Sequence, residues 1–247
     1  MNTQISSEAM NKENECFMNI FTSTEFAEED KLLFIRNFIE CGQNLNISGQ
    51  EWKTPLHLAV KHCSPKMVEL LLSNNAHPNS LDHHAVSPMM LVARRKTDHM
   101  RVLDLLFTYG ADPRVVDIHG YNAAVWAIMY DQPEMLKEML KYTPVNFRLL
   151  NGDNLMHTAV KCKSIKCVQV LLNFSLDEKE VDKNGLTALE IAQRYKMTFI
   201  ISLLFKDNTD TTSTHLQIED DDSSGSDTHV SCSVTLNSYK VDTDFLE

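Results

Sequence analysis

A four-residue corner returns along this chain at an almost fixed interval, and that recurrence limits the folds open to it more than any other feature. The corners are Thr54-Pro55-Leu56-His57, Ser87-Pro88-Met89-Met90, Asn122-Ala123-Ala124-Val125, Asn154-Leu155-Met156-His157 and Thr187-Ala188-Leu189-Glu190, spaced by 33, 35, 32 and 33 residues. A leucine-rich stretch ending in a turn keeps step with them: VELLLSNNAHPN, LDLLFTYGADPR, LKEMLKYTPVN and VQVLLNFSLD. A period of this size means a stack of similar units. Each unit is too small to bury its own apolar face, so its neighbours supply a continuous core.

Each corner reads as a helix start. Thr, Ser or Asn accepts a hydrogen bond from the open amides of the first turn, and a proline just inside lacks the donor that would have been orphaned. The leucine-rich stretch is then a second, antiparallel helix. Trp126 shares the register of Leu58 and Leu91, which places it in the core. An earlier unit is worn but legible: Phe17, Ile20 and Phe21 form a first helix, and Leu32, Leu33, Ile35, Phe38 and Ile39 recur at helical spacing before Gly42-Gln43-Asn44-Leu45-Asn46.

Asp117-Ile118-His119-Gly120-Tyr121-Asn122 and Asp182-Lys183-Asn184-Gly185-Leu186-Thr187 open their units, and Gly110-Ala111-Asp112 closes one. With the Thr-Pro-Leu-His corner, these stretches resemble the ankyrin repeat over about residues 14–206. The resemblance implies an all-α fold, an ankyrin-repeat solenoid of stacked helix-turn-helix units with hairpin turns. It divides the chain into a flexible N-terminus 1–13, a degenerate first repeat or cap 14–48, repeats 49–81 and 82–116, a degenerate repeat 117–148, a repeat 149–181, a capping repeat 182–206, and a disordered acidic Ser/Thr-rich tail 207–247. In that family the corner histidine bonds backbone near the turn, so His57 and His157 are read as structural groups. The chain also departs from the pattern, because Trp52 and Ala85 replace one turn glycine and Cys63 and Asp131 another. Non-glycine residues at positive φ are strained, so these turns are expected to carry strain.

The formal net charge is −11, and the stretch from Asp207 onward holds ten of the acids against Lys240 alone. A nearly neutral body with an acidic tail argues against direct nucleic-acid binding, which needs a basic surface to neutralise phosphates. No Gly-rich phosphate loop, H-E-x-x-H or G-x-S-x-G is present, so a non-enzymatic protein without cofactor is expected. His83-His84, with His77 nearby, is the densest imidazole cluster, but it falls at a hairpin tip and adjacent residues rarely ligate one ion, so no metal is assigned. The longest apolar run, FIISLLF, falls short of the roughly 20 residues a membrane helix needs. The N-terminus lacks a basic start and an apolar stretch, and the six cysteines form no C-x-x-C pair. Together these features point to reduced thiols and a cytoplasmic or nuclear place.

The last two positions of the first helices are Lys61-His62, Arg94-Arg95, Met129-Tyr130, Lys161-Cys162 and Arg194-Tyr195, which hold five Lys or Arg and no acid. Cations are favoured at helix C-termini by the macrodipole, but that does not explain the tyrosines. The resemblance implies that these positions and the hairpin tips line a concave, partner-gripping face. The candidate binding set is therefore Lys61, His62, His83, His84, Arg94, Arg95, His119, Tyr121, Met129, Tyr130, Lys161, Arg194 and Tyr195. Its expected partner is a protein with an acidic or acceptor-rich surface, bound by a monomer. About six repeats joined to an acidic Ser-rich segment also resemble the architecture of IκB-type inhibitors, which implies a Rel-type transcription factor. A substrate receptor of a ubiquitin ligase, or a pathogen-encoded host mimic, is the alternative. Ser223, Ser224 and Ser226, set among acids, form a candidate phosphorylation cluster.

Overall fold

The computed structural model describes residues 14–206 apart from 16, 145 and 175–178. The expectations for 1–13 and 207–247, the serine cluster included, lie outside the described residues. Among the described residues the helices come in six pairs: α1 (residues 17–22) with α2 (Glu28–Glu40), α3 (Pro55–His62) with α4 (Pro65–Ser73), α5 (Pro88–Leu91) with α6 (His99–Thr108), α7 (Ala123–Met129) with α8 (Pro133–Met139), α9 (Leu155–Lys161) with α10 (Ile165–Leu172), and α11 (Ala188–Arg194) with α12 (Thr198–Lys206). A 3-10 turn, Val92–Arg94, prolongs α5. Among the described residues the β pairing consists of one bridge, Val181 to Thr187.

Two rows of helices stack side by side. Helices α3, α5, α7, α9 and α11 form the inner row, and α4, α6, α8, α10 and α12 the outer row. Ala59, Val92, Ala127, Ala159 and Ala192 share one register of the inner row, and all are fully buried. Small side chains there let successive helices approach closely. The outer row fills the space beneath with Met67, Leu71, Leu103, Leu106, Met135, Leu136, Val168 and Leu171. Trp126 is core as expected, and its indole Nε1–H donates to Asp117 Oδ2 at 2.9 Å, a bond the register did not reveal.

The hairpins repeat as regularly as the helices. Each is closed by an amide bonding a carbonyl four residues on, from Gly49 to Lys53, Asp82 to Val86, Asp117 to Tyr121, Leu149 to Asp153 and Asp182 to Leu186. Asp82, Asp117 and Asp182 brace their own turns, each Oδ1 accepting the amides two and four residues later. The turn position is left-handed in each of these five hairpins, at Trp52 (φ 58), Ala85 (φ 56), Gly120 (φ 77), Gly152 (φ 82) and Gly185 (φ 73). Asp131 (φ 48) is left-handed too, as its register requires. Cys63 is not: its backbone is extended (φ −107), and its thiol turns into the interface with the first unit, meeting Phe21 O at 3.4 Å.

Caps differ from corner to corner. Asn122, Asn154 and Thr187 accept first-turn amides as expected, whereas Ser87 makes no side-chain cap bond. His57 Nδ1 accepts the Thr54 amide at 3.1 Å, and its Nε2 lies 3.0 Å from Val86 O in the next hairpin. His157 repeats the contact on Leu186 O at 3.0 Å. Both histidines are therefore rivets between neighbouring units. Burial holds both below their ordinary pKa, against the opposing pull of those backbone bonds.

Candidate functional site

The loop between the two helices of one unit reaches back onto the unit before it. Glu28 accepts from the Ser64 amide and hydroxyl at 3.0 and 2.6 Å, Gln132 Nε2 donates to Arg95 O at 3.2 Å, and Asp131 accepts the Cys167 amide at 3.1 Å. The first amides and last carbonyls of a helix have no partners inside it, and here the neighbouring unit supplies them. This decides the fate of one predicted site residue. Arg95 is buried, and its guanidinium donates to Val60 O, to Cys63 O at 3.0 Å and to Thr97 O at 3.2 Å. It caps α3 from the next unit and is withdrawn from the surface that sequence register gave it.

Lys161 is also spoken for. Its ammonium bridges Asp153 Oδ1 at 2.6 Å and Asp182 Oδ2 at 3.2 Å, joining the fifth hairpin to the sixth. Against the upward push of burial, the Leu186 and Asn184 amides and the Lys161 ammonium bring Asp182 down to about 2. The positive charge of Lys161 is thus matched inside the fold. The sequence hides this because Asp153 and Asp182 lie in other segments of the period.

What remains is a strip across the second, third and fourth units. Lys61 and Arg94 are half-buried at the ends of their helical segments, and the Arg94 guanidinium lies over the Tyr130 ring at 5.9 Å from its centroid. Tyr130 in turn stacks on Trp126, with ring centroids 6.1 Å apart, so the strip is anchored to the core. Burial first, then the like charges of Arg94 and Lys53, hold Lys61 below its ordinary pKa. The same two influences depress His62: burial, then Lys61, Arg94, Lys31 and Lys53. At neutral pH the strip therefore carries lysine and arginine charge beside a neutral imidazole. Met129 is half-buried next to Tyr130.

The hairpin tips border this strip. His83 is exposed and His84 half-buried, their rings 4.7 Å apart. His119 lies 5.7 Å from the Tyr121 ring, and burial followed by the Asp117 charge raises the Tyr121 phenol. Among the described residues no three His, Cys, Asp or Glu side chains gather as a metal site would require. Arg194 and Tyr195 stand exposed on the last unit. Trp52, Ile118 and Leu150 are exposed apolar residues of the hairpins; Ile118 is a tip residue by sequence register, whereas the exposure of Trp52, in the turn-glycine position, and of Leu150 was not foreseen.

Stacked helix pairs joined by such hairpins define a class of protein-interaction modules, and the ankyrin-repeat family models match this chain over residues 51–83, 89–177 and 125–215. The chain belongs to the ankyrin-repeat family. Among particular proteins, it is 30% identical to a putative ankyrin repeat protein of Fowlpox virus (strain NVSL) over 106 residues, 43% of this chain and 74% of that one. It is 27% identical to the nuclear factor NF-kappa-B p105 subunit of Gallus gallus over 151 residues, 60% of this chain but 12% of that much longer protein. The fold matches the crystal structure of the ankyrin repeat domain of Bcl-3, described as a unique member of the IkappaB protein family, with a TM-score of 0.63 at 22% identity. That match covers 79% of this chain and 86% of the Bcl-3 chain.

Proposed function

We propose that this protein is a non-enzymatic adaptor or inhibitor that grips an acidic protein surface on the inner face of its second to fourth units. The observation that carries the reading is the Lys61, Arg94 and Tyr130 strip. It sets two cations close enough for the Arg94 charge to depress Lys61 and for both to depress His62, within a chain of net charge −11. Such crowding destabilises the isolated fold and is relieved when an acidic partner arrives. Arg and Tyr are also the residue types that most often anchor interfaces.

A finer form of the reading is IκB-like inhibition of a Rel-type transcription factor in the cytoplasm or nucleus. The shared fold with the Bcl-3 domain and the similarity to the p105 subunit support it. Retention of a purified Rel-homology dimer on the immobilised protein is the expected result, and no retention at micromolar concentration rejects this form. A pathogen-encoded mimic of host ankyrin proteins is a second reading, favoured by the similarity to the fowlpox protein.

A further inference from the structure

The tip of the second hairpin is built against its own stability. Glu51 (φ 56) and Trp52 (φ 58) are consecutive left-handed residues, and at the position of Trp52 the fourth, fifth and sixth hairpins carry glycine. A left-handed backbone is unfavourable for a bulky side chain, and strain of this kind persists where something outside local folding selects it. The indole recovers little by burial, because Trp52 is 66% exposed and meets the His83 ring edge-on at 5.9 Å. The row passes over the His83 tip of the third hairpin to Ile118, 55% exposed, and Leu150, 84% exposed, on the fourth and fifth. Leu150 lies over Gly120, where an added Cβ would approach its Cγ to 3.1 Å, so the glycine seats the leucine on the turn below.

We infer that Trp52, Ile118 and Leu150 anchor one acidic, extended segment of a protein partner, which runs along the hairpin tips with its carboxylates toward Lys61 and Arg94. This deepens the proposed function and rests on it. Stacked units repeat about every 10 Å, the ordinary spacing of packed helices. A polyproline-II segment turns once in three residues and rises about 9 Å per turn, so every third side chain falls on one face, near the pitch of the tips. Charge complementarity sets the sign of the residues between, because Lys61 and Arg94 lie near the Trp52 tip, where Lys53 is paired with Glu51. The partner segment therefore carries an apolar residue at every third position with acids among them.

The test is the fluorescence anisotropy of a labelled twelve-residue peptide of four Leu-Pro-Asp repeats, titrated with the full chain, beside a Leu-Pro-Lys version. Saturable binding at least tenfold tighter for the acidic peptide is expected. Trp52→Gly should weaken it tenfold or more while raising the melting temperature, since glycine suits that backbone. A purely structural tryptophan could not produce that opposition. Unchanged affinity in Trp52→Gly, or a lower melting temperature, overturns the anchor. If Lys61→Glu with Arg94→Glu abolishes binding in the same series, the cationic strip stands without the anchor. No saturable binding of the acidic peptide overturns both.

Discussion

Arg94 and Arg95 are neighbours of the same type, and the structure predicts opposite consequences for removing them. The Arg95 guanidinium holds three backbone carbonyls, two of them, Val60 O and Cys63 O, at the end of α3 in the preceding unit. A bond from a charged donor contributes about 1.5–3 kcal/mol, and a buried carbonyl left without its donor costs about 1–3 kcal/mol. Deleting a buried cation also removes its desolvation cost, which offsets part of that loss, since burial already depresses the Arg95 pKa. The net cost of Arg95→Ala is then about 3 kcal/mol, or about 6–12 °C in melting temperature for a chain of this size. Arg94→Ala forfeits a surface cation-π contact and costs under about 1 kcal/mol. Urea denaturation of the two single variants, followed by helical circular dichroism, measures both. Equal destabilisation within about 0.5 kcal/mol would refute the assignment of Arg95 to the fold and Arg94 to the surface.

Three further outcomes follow from contacts already described. Burial depresses both His57 and His157 below the ordinary 6.5, so their stabilisation is complete above that pH and is lost as pH falls through it toward the folded values. Melting temperatures at pH 8, 6.5 and 5 should decline across the lower interval, and a flat profile contradicts the rivet role. Lys161→Met leaves the Asp153 and Asp182 carboxylates unmatched in a buried setting and should cost about 3 kcal/mol in a chemical denaturation series. Trp126→Ala removes a core indole and its bond to Asp117, with an expected loss of about 3–5 kcal/mol by the same measurement.

The fold was legible because its determinants are local and periodic. Corner, second helix and turn each recur within one unit, so a one-dimensional reading recovers them, and even the left-handed turn at Trp52 follows from register. The site was legible only in part. Its residues share a register, but register says nothing of where a long side chain ends. Arg95 and Lys161 occupy nominally exposed positions, yet Arg95 reaches carbonyls 32 and 35 residues away and Lys161 a carboxylate 21 residues away, each in a neighbouring unit. Cys63 failed for a related reason: the pattern calls for a left-handed residue, but a thiol contact to Phe21 comes with an extended one. Long-range hydrogen bonds are invisible to periodicity, and they decide which cations staple the solenoid.

The central claim is that the second to fourth units bind through Lys61, Arg94 and Tyr130. Its most direct test is affinity capture from cell lysate with quantitative mass spectrometry, comparing the wild type with a Lys61→Glu, Arg94→Glu, Tyr130→Ala variant that keeps Arg95 and shows unchanged helicity. The account predicts a defined set of acidic-surfaced partners present with the wild type and lost from the variant. Equal recovery of every partner by both proteins would contradict it.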